Sequence, residues 1–139
     1  MPASGIIREP LAGMEAVCPV EPDTPMWLLS PGSAIAALLR THELPGDRWR
    51  EVTRGQALNL PGLTVTVAQM IDSLQRAGGA EAAARIRFAP DARIKAIVQS
   101  WPARFDTVRA QALGFAADSG FDAVVAAYVA GQTTEGPRP

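Results

Sequence analysis

The chain has 139 residues, of which 47% are apolar, enough for one soluble domain that buries roughly two-thirds of its unfolded surface around a single core. Thirteen basic side chains nearly cancel fourteen acidic ones and form no cluster, which excludes the electrostatic footprint of a nucleic-acid-binding protein. One cysteine, Cys18, and one histidine, His42, exclude an internal disulfide and a Cys/His zinc site; with no membrane-length apolar run and no signal pattern, a soluble protein of the reducing cytoplasm is expected.

In chain order, Ser4 is placed to cap a first helix containing Ile6, Ile7 and Leu11, with Pro10 expected to kink it or end it early. Ala16 to Val20 reads as a short strand, and Pro19, Pro22 and Pro25 hold the next stretch extended or turned. Met26 to Leu29 is an apolar strand that feeds a helix from about Gly32 to Glu43. Ser30 is its N-cap, Pro31 takes the first position where a missing amide costs nothing, and Ile35, Leu38 and Leu39 form the stripe expected to be buried. The polar segment Leu44 to Gly55 reads as an exposed loop.

Ala57 to Leu60 is expected as a strand and Pro61-Gly62 as a turn. Thr66 and Gln69 have the spacing of a capping box, and Val67, Met70, Ile71 and Leu74 follow as one apolar stripe, with Gly78 placed to end the helix in the left-handed conformation. A short helix over Ala80 to Arg85, a strand over Ile86 to Phe88, and an Asp91-capped helix with Ile94, Ile97 and Val98 inward come next, stopped by Pro102. Asp106 caps a helix through Leu113 that ends at Gly114, and a last helix from Ser119 or Gly120 buries Phe121, Val124, Val125 and Tyr128. One domain over 1–131 and a disordered tail over 132–139 are expected.

The inventory of reactive groups is short. Lys95 and Tyr128 are the only lysine and tyrosine and cannot form Tyr-x-x-x-Lys, and no glycine run makes a pyrophosphate or triphosphate cradle, so no catalytic, cofactor or metal ligand set is assigned. His42 reads as a helix-end cation rather than an acid/base group, and Cys18 as a small core residue rather than a nucleophile. Asp106, Asp118 and Asp122 read as caps or first-turn charges. Arg104, between Trp101 and Phe105, has the surroundings of a held guanidinium fork, suited to a carboxylate, a phosphate or helix-end carbonyls.

Three ordered segments carry a family resemblance. Met26-Trp27-Leu28-Leu29-Ser30-Pro31 with its helix, Leu58-Asn59-Leu60-Pro61-Gly62 with Val65-Thr66-Val67, and Arg104-Phe105-Asp106-Thr107 through Leu113-Gly114-Phe115 resemble the C-terminal part of the extended short-chain dehydrogenase/reductases of the NAD-dependent epimerase/dehydratase family. Ser4 to Leu11, Glu15 to Val20 and Trp101 to Asp106 resemble the D-erythronate dehydrogenase-like branch. The resemblance covers about residues 3 to 131. It implies an α/β protein of which this chain is an α+β fragment, a mostly helical substrate-binding half with a few short strands and the Rossmann half absent.

By the same resemblance the full-length family binds NAD and acts on a sugar acid or polyol, while this chain alone is expected to bind no NAD and to be inactive. Ser4, Arg8, Trp27 and Arg104 are put forward as substrate-binding positions; the structural alternatives are helix cap, surface charge, core aromatic and helix-end clamp. The branch's usual pattern has basic residues where Pro25 and Gly32 stand, and their absence bears on substrate recognition. The expected partners are the missing Rossmann half or a second copy, met through exposed apolar surface. A free-standing sugar-acid-binding or protein-interaction module is the alternative reading.

Overall fold

The computed structural model describes the backbone of residues 2–134 and the side chains of residues 4–131. Helix α1 (Pro2–Leu11) begins before Ser4, so Ser4 lies within the helix instead of capping it. Pro10 sits in the last turn, where the lost amide bond ends the helix one residue later. Ile6 and Ile7 are buried, and α1 packs on β1 (Ala16–Cys18) and on the helix over Val67–Ala84. The β1 strand stops short of Val20, which is nonetheless fully buried in the connection that follows.

Strand β2 (Pro25–Leu28) runs into α2 (Pro31–Glu43), and Ser30 caps it as the sequence predicts, its hydroxyl accepting from the Ser33 amide at 3.1 Å. The direction that α2 faces overturns the expectation. Ala37 and Leu44 pack inward beside Ala110, Leu113 and Phe115, whereas Ile35, Leu38 and Leu39 face outward. Both stripes have helical spacing, and bulk alone selects the wrong one. The predicted loop over Leu44 to Gly55 contains α3 (Gly46–Thr53), whose Trp49 and Val52 join the same small core. Arg54 and Gly55, both at positive φ, end it.

No strand forms over Ala57 to Leu60; β3 (Leu63–Thr66) instead pairs antiparallel with β2, from Pro25 opposite Thr66 to Leu28 opposite Leu63. Gly62 sits just ahead of this ladder, where a Cβ would lie 2.7 Å from the Leu28 carbonyl oxygen and 2.8 Å from the Trp27 indole. Helix α4 (Val67–Ala84) opens with the predicted capping box: the Thr66 hydroxyl accepts from the Gln69 amide at 3.2 Å and the Gln69 side chain from the Thr66 amide at 2.9 Å. The Val67 and Ala68 amides donate to the carbonyls of Thr24 and Pro22, so the first turn leaves no donor orphaned.

Val67, Met70 and Leu74 are fully buried and make α4 the centre of the main core, against α1 and against the last helix, over Phe121–Thr134. The break in α4 falls at Gly79 (φ 78°, ψ 175°), one residue after the predicted Gly78. Gly78 matters for packing instead. A Cβ there would lie 2.8 Å from Leu11 and from Ala82, so its lack of a side chain admits α1.

Strand β4 (Ile86–Phe88) runs parallel to β1, Ala16 opposite Ile86 and Cys18 opposite Phe88. Asp91 caps α5 (Ala92–Gln99) through the Arg93 and Ile94 amides; Val98 is buried, but Ile97 is exposed, against expectation. Helix α6 (Val108–Ala112) follows Asp106, which accepts from the Val108 amide at 3.0 Å, and the chain turns at Gly114 with φ 79°. Helix α7 (Phe121–Thr134) buries Val125 and closes the main core. Its backbone passes residue 131, and the expectation of a disordered tail lies, for 135–139, outside the described residues.

Among the described residues the fold is therefore a mostly helical partial α/β structure with two short two-stranded sheets. No helix among the described residues is long and apolar enough to cross a membrane.

Candidate functional site

The arrangement of α1, the β2–α2 junction, α4 and α7 leaves a cavity of about 650 Å3 between them. Ser4 and Arg8, one helical turn apart on α1, share the face that lines it. Ser30 and Gly32 contribute the opposite rim, Tyr128 enters from α7, and Met70 and Val125 belong to the apolar floor. Arg8 is the one charged side chain among the lining residues. A guanidinium over an apolar floor with hydroxyl groups beside it suits a small ligand that carries a carboxylate and a short carbon skeleton.

Trp27 and Arg104 lie outside this cavity. Trp27 is half-buried, packs edge-on against Phe105 at 5.7 Å between ring centres, and covers Gly62. Arg104 is exposed, as is Trp101. Among the described residues, the guanidiniums that donate to backbone carbonyls are those of Arg40 and Arg109. Arg40 Nε donates to the Leu113 carbonyl at 2.8 Å, with Gly114 close over it, and Arg109 donates to Gln56 Oε1 at 2.9 Å and to the Thr53 carbonyl at 3.3 Å. Periodicity and residue type do not single out these two, because their partners are carbonyls of distant turns.

Behind the rim stands a carboxylate that reading of the sequence places elsewhere. Asp118, expected to serve the start of α7, instead accepts from the Ser30 amide at 2.9 Å and from the Ser30 and Ser33 hydroxyls at 2.6 Å each. Burial raises its pKa, but the bonds from Ser30 and Ser33 lower it by more, so the carboxyl titrates below its ordinary value. Asp122 does start α7 and holds Arg76 of α4 in a fork, with contacts of 2.7 to 3.2 Å. Each holds the other charged: the Arg76 bond lowers the Asp122 pKa, and the Asp122 bond raises that of Arg76. Cys18 is fully buried; burial is the largest influence on its thiol and pushes its pKa up, as befits a core residue.

The β2–α2 junction does not form a pyrophosphate cradle. Among the described residues the strand-to-helix junction that bears a glycine is β2 to α2, and there the Ser30 amide and both serine hydroxyls are already taken by Asp118. A pyrophosphate would meet a carboxylate where it needs donors. No group of three or more His, Cys, Asp or Glu side chains gathers among the described residues to hold a metal.

Comparison with known proteins agrees with this partial architecture. No protein-family model matches the chain. It is 50% identical over 127 residues to a D-erythronate dehydrogenase of Cupriavidus necator, which aligns with 91% of this chain and 38% of that protein. It is 40% identical over 126 residues to one of Haemophilus influenzae, of which it covers 39%. Its fold matches a nucleoside-diphosphate-sugar epimerase of Agrobacterium tumefaciens with a TM-score of 0.87 and 33% identity, over 96% of this chain and 38% of the other. An L-threonine dehydrogenase of Cupriavidus necator matches with a TM-score of 0.75 and 29% identity, over 91% of this chain and 39% of the other. The chain thus spans about two-fifths of the length of these relatives. Its likeness to the C-terminal part of D-erythronate dehydrogenase-like extended short-chain dehydrogenases holds in both sequence and fold.

Proposed function

We propose that this chain forms the substrate-side wall of an NAD-dependent oxidoreductase acting on a sugar acid or a related polyol, and that it performs no turnover alone. The observation that carries this reading is the placement of Ser4 and Arg8, side by side, on the wall of the 650 Å3 cavity. Arg8 offers a carboxylate two parallel donors, Ser4 and Tyr128 offer hydroxyls to polyol oxygens, and the Met70 and Val125 floor meets the carbon skeleton. Trp27, half-buried and edge-on against Phe105, braces the neighbouring wall, and neither it nor the exposed Arg104 lines the cavity. The 50% identity to a D-erythronate dehydrogenase supports the substrate class.

What the chain does not hold supports the rest of the reading. Hydride transfer with a polyol requires a phosphate cradle for the dinucleotide and a proton-transferring phenol beside an ammonium, and the lone Tyr128 and Lys95 do not form that pair. Those groups belong to a nucleotide-binding portion, which the proposal takes as the partner. Backbone NMR of the chain titrated with D-erythronate tests the site. Shifts clustered on α1 and α7, weakened about tenfold in Arg8→Ala by loss of a charged hydrogen bond, are expected. Calorimetry with NAD should give no heat. Absence of any erythronate-induced shift, or turnover of a polyol by the chain alone, would refute the proposal.

A further inference from the structure

Ser30 stands at the cavity rim with both of its protons committed to Asp118. It is buried in the fold yet lines the cavity, its amide donating to Asp118 Oδ2 at 2.9 Å and its hydroxyl to Asp118 Oδ1 at 2.6 Å. The same hydroxyl oxygen accepts from the Ser33 amide at 3.1 Å. A hydroxyl oxygen has two acceptor positions, so Ser30 Oγ keeps one lone pair and offers no proton. The first turn of α2 adds little. Pro31 has no amide, the Ser33 amide goes to Ser30 Oγ and the Ala34 amide to the Ser30 carbonyl, which leaves Gly32. The Asp118 charge, bonded also by the Ser33 hydroxyl at 2.6 Å, offsets the positive end of the helix behind this rim. Across the cavity, Arg8 is the one charged side chain among the lining residues.

We propose that Asp118 makes Ser30 a specificity-determining residue: with its hydroxyl fixed as an acceptor, the cavity selects acids that place a carboxylate at Arg8 and a hydroxyl at the Ser30 rim, and rejects those with an anion at both ends. The proposal deepens the reading above that this cavity takes a sugar acid, and rests on it. A hydroxyl both donates and accepts, so it can give its proton to Ser30 Oγ and take a bond from the Gly32 amide. A carboxylate only accepts. At the rim it would face a lone pair, a single amide and the charge of Asp118, and Arg8 would already hold the other end of the ligand. Asp118 itself is not among the lining residues; it is a positioning residue that acts through Ser30. The ligand class is accordingly short hydroxy monoacids, with dicarboxylates of the same length excluded.

Backbone NMR titrations of the 139-residue chain at neutral pH compare three acids of one configuration and chain length. They are D-erythronate, the analogue with a terminal methyl in place of its hydroxymethyl group, and meso-tartrate, which ends in a second carboxylate. For the wild type, the methyl analogue should bind about fivefold more weakly than D-erythronate, through loss of one hydrogen bond, and meso-tartrate at least about 20-fold more weakly. In Asp118→Asn the side chain is uncharged and accepts through one oxygen instead of two, so either the Ser30 amide or the Ser30 proton is released as a donor. The meso-tartrate penalty should then shrink below about fivefold. Arg109→Ala, which loosens contacts to Thr53 and Gln56 away from the cavity, is the control for mere destabilisation and should leave both ratios within about twofold of wild type. Wild-type affinities within about threefold of one another, with shifts on α1 and α7, would overturn the proposal and leave the sugar-acid reading standing. No shift from any of the three acids would refute that reading, and the proposal with it. A meso-tartrate penalty unchanged in Asp118→Asn, or reduced equally in Arg109→Ala, would also overturn it. Should Asp118→Asn fail to fold, the wild-type series decides alone.

Discussion

Asp118→Ala removes a carboxylate that ties the 114–120 segment to the start of α2, 88 residues away in sequence. Three bonds are lost, one from the Ser30 amide and two from the Ser30 and Ser33 hydroxyls. A hydrogen bond to a charged acceptor contributes about 1.5 to 3 kcal/mol when desolvated, but this site is only part-buried and the freed hydroxyls can turn to water. The local cap from the Ser30 hydroxyl to the Ser33 amide also survives. The net loss is therefore about 2 kcal/mol, or a Tm lower by about 8 °C for a domain of this size. The effect depends on pH. Because the folded pKa lies below the unfolded one, the carboxylate's contribution is complete above the unfolded value, near pH 4, and is lost as pH falls through the folded value. Urea denaturation of wild type and variant at neutral pH and at successively lower pH should thus show a gap that is wide at first and narrows as the pH falls below about 4. A neutral-pH gap under about 0.5 kcal/mol, or one that persists unchanged in acid, would refute this account of the clamp.

Gly62→Ala forces a methyl group against the Leu28 carbonyl and the Trp27 ring and should cost about 1 to 3 kcal/mol in denaturant midpoint, with a changed near-ultraviolet aromatic signal; a neutral effect would show that β2 and β3 part easily. Cys18, buried and with its pKa pushed up, should react with a disulfide reagent at least about 100-fold more slowly than a free thiol until the chain is unfolded in urea. Arg76→Ala breaks the exposed fork with Asp122 and should lower Tm slightly at low salt, with the difference disappearing near 1 M sodium chloride, where the screening length falls to about 3 Å.

The elements that sequence alone makes legible are those whose signals are local. The Ser30-Pro31 start of α2, the Thr66–Gln69 capping box, the Asp91 cap and the Gly114 turn each involve residues within a few positions of one another, and each appears where predicted. Errors arise where the deciding neighbour is distant. On α2 bulk points to Ile35, Leu38 and Leu39, and the choice of Ala37 over these larger aliphatics is made by the Ala110 cluster of α6, far along the chain. The charged 46–53 segment folds because Trp49 and Val52 find the Ala110 cluster, an anchor its composition does not disclose. At the site, the i and i+4 relation of Ser4 and Arg8 on α1 is evident from sequence, whereas Ser30 and Tyr128 enter through tertiary closure alone.

The parallel pairing of β1 with β4 has a consequence for how the molecule comes into being. Ala16 meets Ile86 only after α2, α3, β3 and α4 have been laid down between them, so the register cannot be set by a hairpin. Closure of so long a loop precedes any reward from the contact, which slows the search for the native state. Asp118 and α7 arrive later still. During synthesis the ribosome must therefore release most of this polypeptide before the main core can form. Until then Ile6, Val20 and Met70 stay available to chaperones, and the nascent chain is at its most vulnerable to aggregation.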